Sequence, residues 1–231
     1  MVRICDFPDD LLLKILSFLP TQVAASTSVL SKRWEFLWML LPKLEYIDRN
    51  YLSVSDCESL RLCLDLPYAS PQIKPEDIKR FYTCKSIVVL KLGYLRLMDV
   101  PSTACLPSLK TLTLNVRYDN EESLQRLLSI CPVLEELNIG NMDDLQEFSV
   151  IVPTLRRLSL LISNYSLLNG YVIDTPSLEY FRLEDRIDTA HKPKIRSMPN
   201  LKEAYVEVVS FDLKSLIRSI TSVKRLTLCS E

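Results

Sequence analysis

A short apolar phrase returns seven times along this 231-residue chain, and no other feature limits its possible folds so tightly. In its plainest form the phrase is L-x-x-L-x-L. It occurs as Ile87-Leu90-Leu92, Leu109-Leu112-Leu114, Leu134-Leu137-Ile139 and Leu155-Leu158-Leu160, then as Leu178-Phe181-Leu183, Leu201-Ala204-Val206 and Val223-Leu226-Leu228. Successive first residues lie 22, 25, 21, 23, 23 and 22 positions apart. Each phrase closes on apolar–x–apolar alternation, the period-two mark of a half-buried strand. A unit this small cannot bury its apolar face alone, so copies at a fixed period must stack. Residues 84–231 are therefore expected to form a right-handed solenoid with one parallel strand per repeat. Pro107, Pro132, Pro153, Pro176 and Pro199 stand two residues ahead of five phrases. At a strand entrance proline removes no ladder hydrogen bond.

Between strands the chain must return. Residues 121–130 suit a helix with Leu124, Leu127 and Leu128 facing inward. Shorter returns, such as 164–174, read as irregular loops or single turns. Within each strand the residues between the apolar ones face outward on the sheet. They include Thr111, Thr113, Glu136, Asn138, Arg157, Tyr180, Arg182, Tyr205 and Arg225.

The first 45 residues follow a different rhythm. Pro8 suits a first helical position, where its missing N–H would have no partner anyway. Asp9 and Asp10 then fall in the first turn, where the helix dipole favours negative charge. Leu12, Ile15, Leu16 and Leu19 recur at helical spacing until Pro20. Thr21 is placed to cap a second helix through about Ser28, and Ser31 a third containing Trp34, Leu37, Trp38 and Leu41. Three such helices make a core too small to hide all of their large apolar side chains, so some must meet another surface. Residues 46–83 read as a linker with a degenerate first repeat at Cys57-Leu60-Leu62, broken afterwards by Pro67, Pro71 and Pro75.

Composition narrows the function by exclusion. Lys plus Arg is 28 and Asp plus Glu is 29, without the basic excess of a general nucleic-acid binder. The N-terminus lacks the apolar run of a signal peptide, and no stretch has the roughly 18 apolar residues of a membrane span. Three glycines leave no phosphate-cradling loop. Seven cysteines without a CxxC pair suggest buried reduced thiols, with Cys57, Cys63, Cys84, Cys105, Cys131 and Cys229 beside apolar positions. The sole histidine, His191, lies in a polar stretch and reads as a solvated loop residue. The acidic pairs Glu121-Glu122, Glu135-Glu136 and Asp143-Asp144 read as solvated faces. No catalytic constellation, cofactor or metal site is expected.

Two segments carry a family likeness. FPDDLLLKILSFLP followed by SVLSKRWEFLW closely resembles the F-box motif in its plant form. CLPSLKTLTL, RLLSICPVLEEL, YVIDTPSLEYFRL and MPNLKEAYV resemble phrases of the plant F-box/FBD/LRR-repeat family, although the family's C-terminal FBD domain has no counterpart here. The resemblance implies a mixed α and β chain: a small three-helix F-box over 1–45, then leucine-rich repeats over 84–231. It implies a non-catalytic substrate-recognition subunit of an SCF-type (Skp–cullin–F-box) ubiquitin ligase, in the nucleus, the cytoplasm or both. The F-box would bind a Skp-type adaptor, and through it a cullin and a RING subunit. By match to the motif, Pro8, Leu12, Ile15, Leu16, Leu19, Val29, Lys32, Arg33 and Trp34 are the expected adaptor contacts. The repeats would bind an unidentified target protein. Arg157, Tyr180, Arg182, Tyr205 and Arg225 would form a strip for it, suited to acidic or phosphorylated segments, or would be ordinary solvated sheet residues with tyrosine favoured by strand propensity. The alternative to a ligase receptor is an adaptor-binding scaffold or competitor without productive ubiquitylation.

Overall fold

The computed structural model describes residues 4, 7–47, 82, 85–97, 100–118, 121–140, 145–163, 168–187, 191–209 and 213–230. In chain order the elements are helices α1 (Asp9–Leu16) and α2 (Thr21–Ser26), strands β1 (Lys43–Ile47), β2 (Val89–Leu97) and β3 (Thr111–Tyr118), and helix α3 (Glu121–Ser129). Strands β4 (Glu136–Gly140), β5 (Glu147–Ile151), β6 (Arg157–Ile162), β7 (Gly170–Asp174), β8 (Tyr180–Asp185), β9 (Lys194–Ile195) and β10 (Glu203–Val208) follow, then helix α4 (Leu213–Ser219) and strand β11 (Arg225–Ser230). Eight strands pair in parallel in the order β1-β2-β3-β4-β6-β8-β10-β11.

The repeated phrase explains the stacking. Its first residue lies in the turn before the strand, and its second and third point under the sheet. Leu109, Leu112 and Leu114 are buried in this way, as are Leu155, Leu158 and Leu160 and Leu178, Phe181 and Leu183. Three apolar rows thus run beneath the strands, each full leucine burial contributing roughly 1.5–3 kcal/mol. Entry into the strands is equally regular. The Val88 and Val89 N–H groups both donate to the Pro42 carbonyl, and those of Lys110 and Thr111 to Val88. The same paired donation recurs at every step to Lys224 and Arg225, which share the Lys202 carbonyl.

The sheet begins earlier than the repeat phrase suggested. β1 hydrogen-bonds β2 along Lys43↔Val89 to Ile47↔Gly93. The boundary expected at residue 45 therefore falls inside a strand. The proposed degenerate repeat at Cys57-Leu60-Leu62 lies outside the described residues, as does nearly all of 46–83. At the seam the Glu45 carboxylate bridges Lys43 (2.9 Å) and Lys91 (2.8 Å). The hydrogen bond from Lys91 is the main reason the Glu45 carboxyl is held below the usual range. Its contribution is present above the unfolded-state pKa and lost as pH falls through the lowered folded value.

The N-terminal unit also departs from expectation. Pro8 is the N-cap, one position ahead of the first helical residue. Thr21 opens α2 rather than capping it, and its hydroxyl accepts the Glu45 N–H (3.0 Å), tying the unit to β1. Of the three expected helices the third is wound as turns and a 3-10 helix over Leu37–Leu40, which still buries Leu37, Trp38 and Met39.

The returns fall into two kinds. α3 forms as expected, with Leu124, Leu127 and Leu128 buried. The stretches expected to be irregular instead contain strands: β5, β7 and β9 pair in parallel as a second, three-stranded sheet. This sheet changes the fate of His191. Its side chain is buried, not solvated, and its Nε2 lies 2.7 Å from Asp185 Oδ2. Asp185 occupies an inward position of β8, so its carboxylate needs partners. The Tyr171 hydroxyl donates to Oδ2 (3.0 Å) and the Ile187 N–H to Oδ1 (3.2 Å). Burial, and then the neighbouring Asp185 carboxylate, push the Tyr171 phenol well above its ordinary value. Gly170 permits this packing: a Cβ there would stand 2.6 Å from the Lys192 carbonyl oxygen, one residue beyond His191.

Asp185→Ala removes the buried acceptor of the Tyr171 hydroxyl and the Ile187 N–H, and the carboxylate beside His191. Urea unfolding is expected to show a loss of about 3–5 kcal/mol, whereas a loss under about 1 kcal/mol would contradict the buried cluster.

Candidate functional site

Two surfaces stand out, one on each part of the chain. The first is the N-terminal unit. Among the described residues, sixteen large apolar side chains are exposed, and nine of them fall between Ile4 and Leu40. Val29 is 86% exposed, Phe18 75% and Leu30 58%, with Leu11, Val23, Phe36 and Leu40 adding to the set. Scattered exposed apolar residues are ordinary, but this concentration in so few residues sets the N-terminal unit apart from the rest of the described surface.

The motif-matched adaptor residues divide between this surface and the core. Pro8, Leu19, Val29 and Lys32 are exposed, and Ile15 is half-buried. Leu12, Leu16 and Trp34 are 0%, 0% and 2% exposed, so they build the unit's own core and do not present themselves to a partner. The physical reason is size: with two short helices and turns, the unit must use its best-placed leucines and a tryptophan to cohere. Arg33 is engaged internally. Its guanidinium donates to Asp9 Oδ1 (2.8 and 2.5 Å) and to the Phe7 carbonyl (2.6 Å), which pins the 32–36 turn to the start of α1. Phe18 and Leu30, absent from the expected contacts, are more exposed than most residues that were included. Their signal was available: Phe18 lies out of phase with the Leu12–Leu16 stripe of α1.

The second surface is the outward face of the eight-stranded sheet. Register puts Glu136, Arg157, Tyr180, Glu203 and Arg225 in one row and Asn138, Ser159, Arg182, Tyr205 and Thr227 in the next. The five expected strip residues thus share a face but occupy two rows. Arg157 stacks on the Tyr180 ring (4.8 Å) and Arg182 on the Tyr205 ring (4.9 Å). Carboxylates interleave with them. Glu184 accepts from Arg182 (2.6 Å) and Arg186 (3.2 Å), and Glu203 pairs with Arg225. The Tyr205 hydroxyl donates to Glu207 (2.7 Å), the first cause of its phenol being pushed up to about 12. Arg182 and Arg225 are therefore neutralised within the face, which weakens the expected preference for acidic segments. What remains is a pair of rigid, half-exposed tyrosines held by guanidinium stacking.

Other clusters offer less. A groove of about 560 Å3 runs along the strand entrances, but its charges already pair: Glu135 with Lys110, and Glu179 with Arg156 and Lys202. Cys131 is buried and its thiol is pushed up to about 12 by burial. Cys105 and Cys229 are exposed, contrary to the expectation that the cysteines sit inside. Among the described residues no group of His, Cys, Asp and Glu could hold a metal, and no helix is long and apolar enough to cross a membrane.

The comparisons with known proteins follow the same division of the chain. The F-box domain model matches residues 4–46, and the model described as FBD-associated F-box protein At5g56370, LRR repeats, matches residues 51–206. This chain belongs to the FBD-associated F-box/LRR family. Its F-box spans α1 to β1, and its repeats carry the large sheet. The FBD-associated F-box protein At5g38590 of Arabidopsis thaliana is 46% identical over all of this chain, which covers 67% of that relative. The F-box protein At4g09920 of the same plant is 47% identical, again over the whole chain and over 88% of the relative. The putative F-box/LRR-repeat protein At4g15060, also from Arabidopsis thaliana, is 40% identical over 99% of the chain and 67% of its own length. The 280 aligned positions with At5g38590 exceed the 231 residues here by 49, close to two repeat steps.

The division of the F-box into core and surface is open to test. Leu16→Ala is expected to cost about 3 kcal/mol, as for a leucine lost from a packed core, and Phe18→Ser less than about 0.5 kcal/mol. Equal losses for both in thermal unfolding would contradict it.

Proposed function

We propose that this chain is the substrate-recognition subunit of an SCF-type ubiquitin ligase, acting in the nucleus, the cytoplasm or both. Its F-box binds a Skp-type adaptor, through which a cullin and a RING subunit are recruited, and its repeats hold the target. The chain performs no chemistry itself. It raises the local concentration of the target and fixes its orientation near the ubiquitin donor. The observation that carries this reading is the exposed apolar set centred on Phe18, Val29 and Leu30, in a unit too small to cover it. Pro8, Leu19 and Lys32 share that exposure, while Leu12, Leu16, Trp34 and Arg33 contribute by shaping the unit.

For the target we propose the outward face of β6 to β11. Arg157, Tyr180, Arg182, Tyr205 and Arg225 supply the aromatic and guanidinium groups enriched at binding hot spots. With Glu184, Glu203 and Glu207 offsetting the arginines, the tyrosines supply most of the affinity and the charges fix register.

Phe18→Ser with Val29→Ser is expected to weaken adaptor binding at least about tenfold, or about 1.4 kcal/mol, in a calorimetric titration, with the fold intact. Unchanged affinity would remove the basis of the assignment. Tyr180→Ala with Tyr205→Ala is expected to leave adaptor affinity unaltered and to deplete the targets that accumulate on the chain under proteasome inhibition. An unchanged set of captured proteins would return the face to ordinary solvated sheet.

A further inference from the structure

We infer that the groove along the strand entrances binds an extended, proline-rich segment of a partner protein, held as polyproline II with a carboxylate at every third residue. The first reason is a ladder of alternating charge. The residue just ahead of β3, β4, β6, β8 and β10 is Lys110, Glu135, Arg156, Glu179 and Lys202 in turn. Each of the last four donates its N–H to the carbonyl of the one before, at 2.9, 2.8, 2.8 and 2.9 Å. The five thus form a column that advances one strand spacing per step. Glu135, Arg156, Glu179 and Lys202 line the groove of about 560 Å3 already described.

The second reason is the unequal exposure of the two signs. The side chains of Lys110, Arg156 and Lys202 are 55%, 63% and 61% exposed, against 45% and 35% for Glu135 and Glu179. A ligand therefore meets the cations first, and the column carries three of them to two acids. Its ion pairs are those of an exposed surface, weak enough for a ligand carboxylate to share the same cations.

The third reason is spacing. Neighbouring strands lie about 4.8 Å apart, so Lys110, Arg156 and Lys202 recur about every 9.6 Å. A polyproline II segment completes a turn of three residues in about 9.3 Å. Carboxylates three residues apart then fall on the three cations in turn. Other backbones lose this register. A helix advances about 5.4 Å per turn and so sets one face against every repeat, where the sign alternates. In a β-strand like-facing residues recur about every 6.6 Å, out of step with both spacings. Glu135 and Glu179, set between the cations, repel a carboxylate at any other spacing.

The groove is also preformed. Val133 and Pro153 offer apolar contact to the prolines of a ligand. The Thr154 hydroxyl donates to the Leu134 carbonyl (2.8 Å) and the Asn200 amide to the Pro176 carbonyl (3.0 Å), which ties each repeat to the one before. A segment already stiffened as polyproline II loses little freedom on docking there.

Fluorescence anisotropy on the full chain in low salt tests this, with a labelled peptide of repeated Asp-Pro-Pro as the probe. Saturable binding is expected. A peptide of the same composition with its aspartates clustered at one end, and a peptide with lysine in place of aspartate, are each expected to bind at least fivefold more weakly. Arg156→Gln with Lys202→Gln is expected to weaken the probe at least fivefold, with circular dichroism unchanged. Tyr180→Ala with Tyr205→Ala is expected to leave it unaltered, because those tyrosines stand on the outward face of the strands. Absence of saturable binding, equal affinity for the two acidic peptides, full binding by the glutamine variant or lost binding by the tyrosine variant would each overturn the assignment. The two peptide controls decide the matter even if the glutamine variant fails to fold. None of these outcomes bears on adaptor binding, which uses the N-terminal unit.

Discussion

Everything in this molecule hangs on the rows of apolar side chains that run beneath the parallel strands. A single repeat of about twenty residues has one strand and three inward side chains, too little to fold. Stacked, each strand lends its leucines to both neighbours, and the buried cluster extends without a break from Leu12 and Leu16 to Leu216 and Ile220. The paired N–H donation at each strand entrance fixes the stagger, so the rows stay aligned from Pro42 to Lys202. The outward faces are then free to vary, and the Arg–Tyr stacks and glutamates of β6 to β11 sit on a scaffold that does not depend on them.

The same rows join the two halves of the chain. β1 belongs to the F-box by sequence match and to the large sheet by hydrogen bonding. Thr21 ties α2 to it on one side, and Lys91 of β2 reaches Glu45 on the other. The unit that carries the exposed apolar set is thus fastened, through the β1–β2 ladder, to the sheet that carries the tyrosines. In the role proposed above, that connection would convert binding at one end into orientation at the other.

Much of this was legible in the sequence because it is periodic. The strands β2 to β11 of the large sheet, their buried rows and the inward face of α3 follow from spacings of two, three to four and twenty-odd residues. What was missed is non-periodic or non-local. β1 was hidden because Leu41-Leu44-Tyr46 fits the phrase but stands two steps ahead of the next clear copy. The small sheet was hidden because five-residue strands such as Glu147–Ile151 give too short an alternation to separate from loop. His191 was misjudged because its partner is chosen by the third dimension. The hint was Asp185, in the inward phase of β8, where a carboxylate must find donors. Leu12, Leu16 and Trp34 matched a motif, but a motif does not distinguish residues that touch a partner from residues that hold the unit together.

The central claim is that the F-box and the repeats form one body through the β1–β2 seam. Native-state amide hydrogen exchange measures it most directly. If the claim is right, the amides of β1 open only with the whole sheet, and their opening free energies match those of β3 and β4 to within about 1 kcal/mol. Exchange of β1 through local opening several kcal/mol easier, with β3 and β4 still protected, would show the two halves to be separate and contradict the account.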